Sequence, residues 1–394
     1  MKRILLTSLL VAAHLHATPL QVFILAGQSN MQGHAKITTI EHIGMDPATK
    51  PLLDLMTGAD GKPKTCERVW ISSIGCAGDD TTEQTGKLSA GYGATKEKIG
   101  PEFSFGLTME KLTDAPILLI KTSWGGKSIN TDFRPPSAGP YVFNETQLAQ
   151  LQKQGKDLAA IKAAKEKETG VYYRLMIEHV KKVLGDLKRV VPDYNASQGY
   201  ELAGFAWFQG WNDMVDQGTY PTRDKPGGYD AYSIVMAHFI RDVRKDLNTP
   251  KLPFVIGVMG VGGPTSEYGP TEQRYKATHQ NFRDAMAAPA SLPEFKGNVA
   301  AIRTEQYWDR ELKVARTKEN EAKDKAKKLA KEQKLKPAEE RALTEKMRAE
   351  SLTERERLVL EKGVSNAEFH YLGSAKILGG IGKGLAEAMA ELRR

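Results

Sequence analysis

A three-layer α/β fold, with a parallel sheet of about five strands between helices, is the architecture that the 394-residue sequence predicts. Three observations carry it. Near-continuous apolar runs of strand length recur along the chain, and each ends in a Gly-rich or polar turn, as parallel strands buried on both faces do. Between them lie segments with apolar residues at three- and four-residue spacing, the mark of helices that cover a sheet. A composition of 40% hydrophobic and 8% aromatic residues is enough for a substantial core.

Taken in order, the chain starts with "MKRILLTSLLVAAHLHATP", in which Lys2 and Arg3 precede an apolar run from Ile4 to Ala13 and small Ala17 stands before Thr18-Pro19. This predicts a signal peptide over residues 1–17, cleaved near Ala17, and hence a secreted or periplasmic protein. The run is too short to span a bilayer, and no later segment is a membrane-span candidate. The first strand is "LQVFILAG" (20–27), followed by "APILLIKTSWGG" (115–126), "ELAGFAWFQG" (201–210), "LPFVIGVMGVGG" (252–263) and "GNVAAIRTE" (297–305). Helices are predicted at "VYYRLMIEHVKKVLGDL" (171–187) and "YSIVMAHFIRDVRKDL" (232–247), with a polar helical stretch over 145–168. From residue 311 to 363 the composition turns to Lys, Glu, Arg and Ala, with a break at "KLKPAEE" where Pro337 suits a helix start. That segment reads as a charged helical hairpin inserted into one domain spanning 18–394. It is either a solvated arm or a surface for a protein partner.

The formal charge of +8 includes Lys2 and Arg3. Much of the excess is lysine in Ala- and Glu-rich helical segments without interleaved aromatics, which argues against a nucleic-acid surface. Cys66 and Cys76 are the two cysteines, and either a bridge or two buried thiols fits them.

Ligands of such sheets bind beyond the carboxyl ends of the strands, where the chain leaves as loops. Three turns meet that condition. In "FILAGQSNMQG", Ser29 sits in a tight strand-to-helix turn that could expose a nucleophilic hydroxyl beside free backbone N–H groups; it could equally be a helix cap. In "WFQGWND", Gln209 and Asn212 carry amide donors able to hold a developing oxyanion, or to cap a turn. In "SWGG", Gly125 or Gly126 offers an unshielded N–H. A serine nucleophile needs a base. Among His34, His42, His179, His238, His279 and His370, the last stands apart, because it follows the final strand and precedes a small-residue-rich terminal helix. Trp124, Trp211, Tyr307 and Trp308 lie near the same rim and would either stack on sugar rings or fill the core.

"GQSNM", "WGG", "WFQGWND" and "FHYLGSA", in this order, resemble the SGNH-hydrolase superfamily, and within it the sialate O-acetylesterases and the acetylxylan esterases of carbohydrate esterase family 6. The resemblance runs from about Leu20 to Met389, apart from the charged segment. It implies a flavodoxin-like sheet, no metal and no cofactor, and acetylated carbohydrates as substrates. It further implies Ser29 as nucleophile, His370 as general base, and an oxyanion hole from the Ser29 and Gly125 N–H groups with Asn212, or Gln209, as third donor. The superfamily has an aspartate three residues before the histidine. Here that position is Ala367, flanked by Asn366 and Glu368, so the orienting acid is open; Glu368 is the nearest carboxylate in sequence, with Asp309 and Glu305 behind it. The expected activity is removal of O-acetyl groups from sialic acid, xylan or a related polysaccharide. A lipase or thioesterase of the same superfamily and a catalytically silent glycan-binding protein are the alternatives.

Overall fold

A computed structural model describes residues 18–394. The expected signal peptide lies outside the described residues. Nine strands are formed among the described residues: β1 (Leu20–Gly27), β2 (Ala35–Lys36), β3 (Val69–Ile74), β4 (Glu83–Lys87), β5 (Lys98–Ile99), β6 (Ile117–Ser123), β7 (Tyr200–Phe208), β8 (Phe254–Val258) and β9 (Val299–Arg303). Seven of them make one sheet in the order β4-β3-β6-β1-β7-β8-β9, and β2 and β5 pair as a separate ribbon. Every neighbour in the large sheet is parallel except β4, which runs antiparallel to β3 at the edge.

The sheet thus has two strands more than the apolar runs announce. β3 reads "VWISSI", where Ser72 and Ser73 interrupt the run, and β4 reads "EQTGK", with no large apolar residue at all. An edge strand hydrogen-bonded on one side only does not need the apolar pattern of a central one.

Side-chain alternation along β7 explains the three layers. Phe205 and Trp207 face the helix Asp230–Asp246, where Phe239 meets their rings at 5.9 and 4.4 Å, and Tyr173 of the helix Val171–Gly185 closes on Phe239 at 5.6 Å. Gly204, just before Phe205, faces the other way. A Cβ there would lie 2.1 Å from the sulfur of Met389, so the C-terminal helix Ala375–Leu392 rests directly on the strand. That helix packs in turn on Pro101–Leu112, whose Phe105 stacks edge-on against Phe23 of β1 at 5.7 Å.

β1 is the centre of the sheet and its switch point: β6 and β3 lie to one side of it, β7, β8 and β9 to the other. Gly27 is in register with Ser123 of β6 and Phe208 of β7, so these strands end level. The chain leaves all three at one rim. Close approach requires glycine at position 27, because a Cβ there would stand 2.1 Å from the Phe208 carbonyl oxygen.

Behind that rim the sheet contains an ion pair. Lys121 of β6 and Glu102 are both fully buried and meet at 2.8 Å. The ammonium also donates to the carbonyl oxygens of Gln32 and Tyr92 at 2.7 Å, and Glu102 accepts from the Gly100 N–H at 2.8 Å. All three lysine protons are used, and one of them holds the carbonyl that closes the turn after Ser29. Such a pair tolerates burial only while complete.

Residues 310–363 form three helices, Arg310–Glu332, Pro337–Ser351 and Glu354–Gly363. Ala315, Ala322, Ala326 and Ala330 are buried along the first, letting its neighbours approach closely. Glu319 is buried among Arg316, Lys323 and Arg348. Cys66 and Cys76 are free, buried thiols, which settles that choice against a bridge. No helix among the described residues is long and apolar enough to cross a membrane.

Removing one partner of the Lys121–Glu102 pair leaves an uncompensated buried charge. Lys121→Met is expected to lower the unfolding free energy by roughly 3 to 5 kcal/mol in chemical denaturation, and Lys121→Met/Glu102→Leu to recover most of that loss.

Candidate active site

Ser29 opens the short helix Ser29–Gln32 immediately after β1, and it is 7% exposed. Its backbone N–H has no acceptor among the described residues. Gly125, in the turn after β6, is its neighbour: a Cβ on Gly125 would lie 3.9 Å from the Ser29 Cβ. The Gly125 N–H is likewise unengaged among the described residues. Two free donors therefore stand beside one hydroxyl.

The residue that unites the rim is Gln28, buried and overlooked in the sequence. Its Oε1 accepts from the Gly210 N–H at 3.0 Å, from Gln209 Nε2 at 3.2 Å and from the Asn212 N–H at 3.4 Å. Its Nε2 donates to Asn212 Oδ1 at 3.0 Å, with Ser29 Oγ at 3.5 Å. Because Asn212 is held by its oxygen, its Nδ2 is the free end of the amide; among the described residues that nitrogen has no partner.

Gln209 is placed differently. Its Nε2 donates to Asp213 Oδ2 at 2.6 Å, to the Lys127 carbonyl at 3.0 Å and to Gln28. Its amide hydrogens are thus used inside the loop, whereas the Nδ2 of Asn212 is free at the rim. Asp213 is the anchor below. It also accepts from the N–H groups of Ile129 and Asn130 at 2.8 and 3.2 Å and from Tyr220 Oη at 3.1 Å, tying the loops after β6 and β7 together. Complete burial pushes its carboxyl up to about 6, against these hydrogen bonds, which favour the charged form.

His370 enters from the last loop. The turn 365–374 closes tightly: Leu372 accepts from the N–H groups of Ser365 and Asn366 and donates to Ala367, while Tyr371 and Leu372 adopt left-handed φ of 54° and 60°. For bulky residues that conformation costs free energy. It is held by the buried Tyr371, whose hydroxyl accepts from the Gly260 N–H at 2.8 Å and bonds Thr304 Oγ1 at 3.0 Å. The closed turn sets Asn366 against the imidazole, with Oδ1 2.9 Å from His370 Nδ1. The ring also lies flat on that of His34, centroids 3.9 Å apart and planes within 3°. Lys98 Nζ is 3.3 Å from His34 Nδ1. Desolvation lowers His370 to about 4, with Lys98 adding to the effect, and lowers His34 to about 3, where His370 is the next cause. The helix of Ser29 packs against the turn that carries His370.

With that geometry in place, the chain can be set beside known proteins. The sequence profile of the carbohydrate esterases described as sialic acid-specific acetylesterases matches residues 19–291. The chain belongs to that family. It is a carbohydrate O-acetylesterase, and the match contains Ser29, Gly125 and Asn212 while His370 lies beyond it. No curated protein matches it in sequence. Three solved structures are similar at a TM-score of 0.38 each. A protein from Arabidopsis thaliana shares 17% identity over 72% of this chain and 85% of its own. A carbohydrate acetylesterase from Xanthomonas citri shares 14% over 72% and 50%, and NanS 11% over 73% and 78%.

Several expectations for this esterase are corrected. Glu368 does not reach His370; it lines a cavity beside it. Asp309 caps a helix and pairs with Lys376 at 2.7 Å, and Glu305 pairs with Arg283 at 3.1 Å. The partner of the imidazole is the amide of Asn366. Trp124 and Trp308 are core residues: Trp124 is buried against Tyr172 with Nε1 on the Asp80 carbonyl, and Trp308 is buried against Tyr371. Tyr307 packs on Gly380 and Gly384 of the C-terminal helix. Trp211 alone stays at the rim, 5.6 Å from the ring of Phe369. The remaining histidines among the described residues are engaged elsewhere, His179 with Ser72, His238 with Ser137 and His279 with Tyr268, and His42 is buried beside Gly363.

A neutral amide cannot stabilise an imidazolium as a carboxylate does. NMR titration is expected to give a His370 midpoint near 4, and Asn366→Asp is expected to raise it by roughly one to three. A midpoint unmoved by Asn366→Asp would mean that residue 366 does not face the ring in solution.

Proposed function

We propose that this carbohydrate esterase is a secreted serine enzyme that removes O-acetyl groups through an acetyl-serine intermediate. The observation that carries the reading is the convergence of Ser29, two unengaged N–H groups and the free Nδ2 of Asn212 at one rim. Secretion rests on the sequence of residues 1–17.

In the first half-reaction Ser29 Oγ attacks the acetyl carbonyl carbon while His370 Nε2 takes the hydroxyl proton. The carbonyl oxygen becomes an oxyanion, held by the N–H groups of Ser29 and Gly125 and by Asn212 Nδ2. As the tetrahedral species collapses, His370 gives its proton to the departing sugar oxygen, leaving acetyl-Ser29. Water then attacks the acyl carbon with His370 again as base, and acetate leaves as Ser29 recovers its proton. Asn366 Oδ1 accepts from Nδ1–H, which keeps Nε2 unprotonated and facing the reaction. The cavity at the rim favours a sugar leaving group. Trp211, Phe369 and Tyr275 offer aromatic faces there on which a sugar ring can stack, and Glu272, Glu368 and Arg223 supply polar groups for its hydroxyls.

Acetate release from acetylated xylan, O-acetylated sialic acid and p-nitrophenyl acetate tests the reading. Ser29→Ala is expected to lower kcat by a factor of roughly 10⁴ or more, and Asn212→Ala by roughly 10² to 10³. Because the base must be neutral, kcat/KM should fall only as the pH drops through about 4, the value to which His370 is lowered. An acid limb near 6.5, or full activity in Ser29→Ala, contradicts the assignment.

A further inference from the structure

The cavity beside the site does not end at a single sugar's reach. Its volume is about 450 Å³, and Trp211 and Phe369, the neighbours of Asn212 and His370, form the wall nearest the candidate catalytic groups. At the far side Arg223 and Thr278 line both this cavity and a second one of about 520 Å³. The two are therefore one groove leading away from His370, and each part has the size of an ordinary small-ligand site.

The two parts differ in chemistry. The near part is aromatic: Phe369 and Tyr275 are 40% and 44% exposed, and both face this cavity together with Trp211. The far part is polar, and three of its polar side chains are idle. Among the described residues, the side-chain amides of Gln150 and Gln217 and the guanidinium of Arg274 have no hydrogen-bond partner, yet all three line it. Arg274 lies over the Tyr275 ring at 4.6 Å, at the junction of the two parts.

The far wall is fixed in place. It is carried by the helix Glu145–Lys153, whose cap residue Asn144 donates to the Gly218 carbonyl at 2.8 Å. Gln147 donates to Tyr141 Oη at 2.8 Å, and that hydroxyl bonds Thr219 Oγ1 at 3.0 Å. A helix with no buried residue is thereby tied to the loop that follows Asn212. Free amide and guanidinium donors on a preformed wall suit sugar hydroxyls, which offer paired donors and acceptors.

From this we infer that the groove holds a second sugar residue on Gln150, Gln217 and Arg274, so that the substrate is an O-acetylated oligosaccharide or polysaccharide rather than a free monosaccharide. The inference rests on the esterase reading above and adds chain length to it.

The test compares O-acetylated xylose and O-acetylated sialic acid with the acetylated trisaccharide of each. For whichever sugar is cleaved, kcat/KM on the trisaccharide should exceed that on the monosaccharide by about tenfold or more, the equivalent of one or two net hydrogen bonds. The gain should appear mainly in KM. In Gln150→Ala/Arg274→Ala, changes at exposed positions whose folding circular dichroism can verify, the ratio should fall toward unity. Equal kcat/KM on both lengths, or a ratio unchanged in the variant, overturns the second subsite and leaves the esterase reading standing. Release of no acetate from any ester overturns both.

Discussion

The carboxamide of Gln28 is the joint on which the site depends. One oxygen receives the N–H groups of the turn after β7, and one nitrogen fixes the side-chain oxygen of Asn212, so the loops leaving two adjacent strands cannot move apart independently. Buried polar groups favour folding only when satisfied, and here satisfaction requires that β1 and β7 end at the same level. Gly27 permits that by letting the Phe208 carbonyl approach closely. From below, the Lys121–Glu102 pair holds the carbonyl of Gln32 and Asp213 holds the loop after β6. The reactive groups are few. The buried hydrogen bonds that place them are many, and they are what preorganises the donors before any charge develops.

His370 shows the opposite economy. It lacks the carboxylate usual in serine hydrolases, and its ring is set by a neutral amide, a stacked imidazole and a nearby lysine. Burial is the main influence that favours the neutral ring, and Lys98 adds to it. As the proposed base, a ring kept neutral to low pH would be available over a wide range, but the imidazolium formed during attack would be less stabilised than beside an aspartate. The fold would thus keep the proposed base ready while giving up part of the stabilisation of its charged form.

How much of this the sequence reveals depends on the kind of constraint. Buried parallel strands are legible, since both faces must be apolar; the polar edge strand β4 is not. Ser29, Gly125, Asn212 and His370 stand out in the sequence as candidates because each is a chemically competent residue just past a strand or before a terminal helix. Asn366 could not, since its contact with His370 exists only when Tyr371 and Leu372 turn left-handed, and neither residue type announces such a turn. Position past a strand end also says nothing of which way a side chain points. Trp124 and Trp308 turned inward for that reason, and Gln209 spent its amide on the loop while the similar Asn212 kept one end free.

The account stands on Ser29 being an activated nucleophile next to His370. Covalent labelling by an organophosphonate, located by peptide mass spectrometry, tests this most directly. The account predicts stoichiometric label on Ser29, none in Ser29→Ala, and much slower labelling in His370→Ala. Label on another residue, or an equal rate of labelling in His370→Ala, would contradict it.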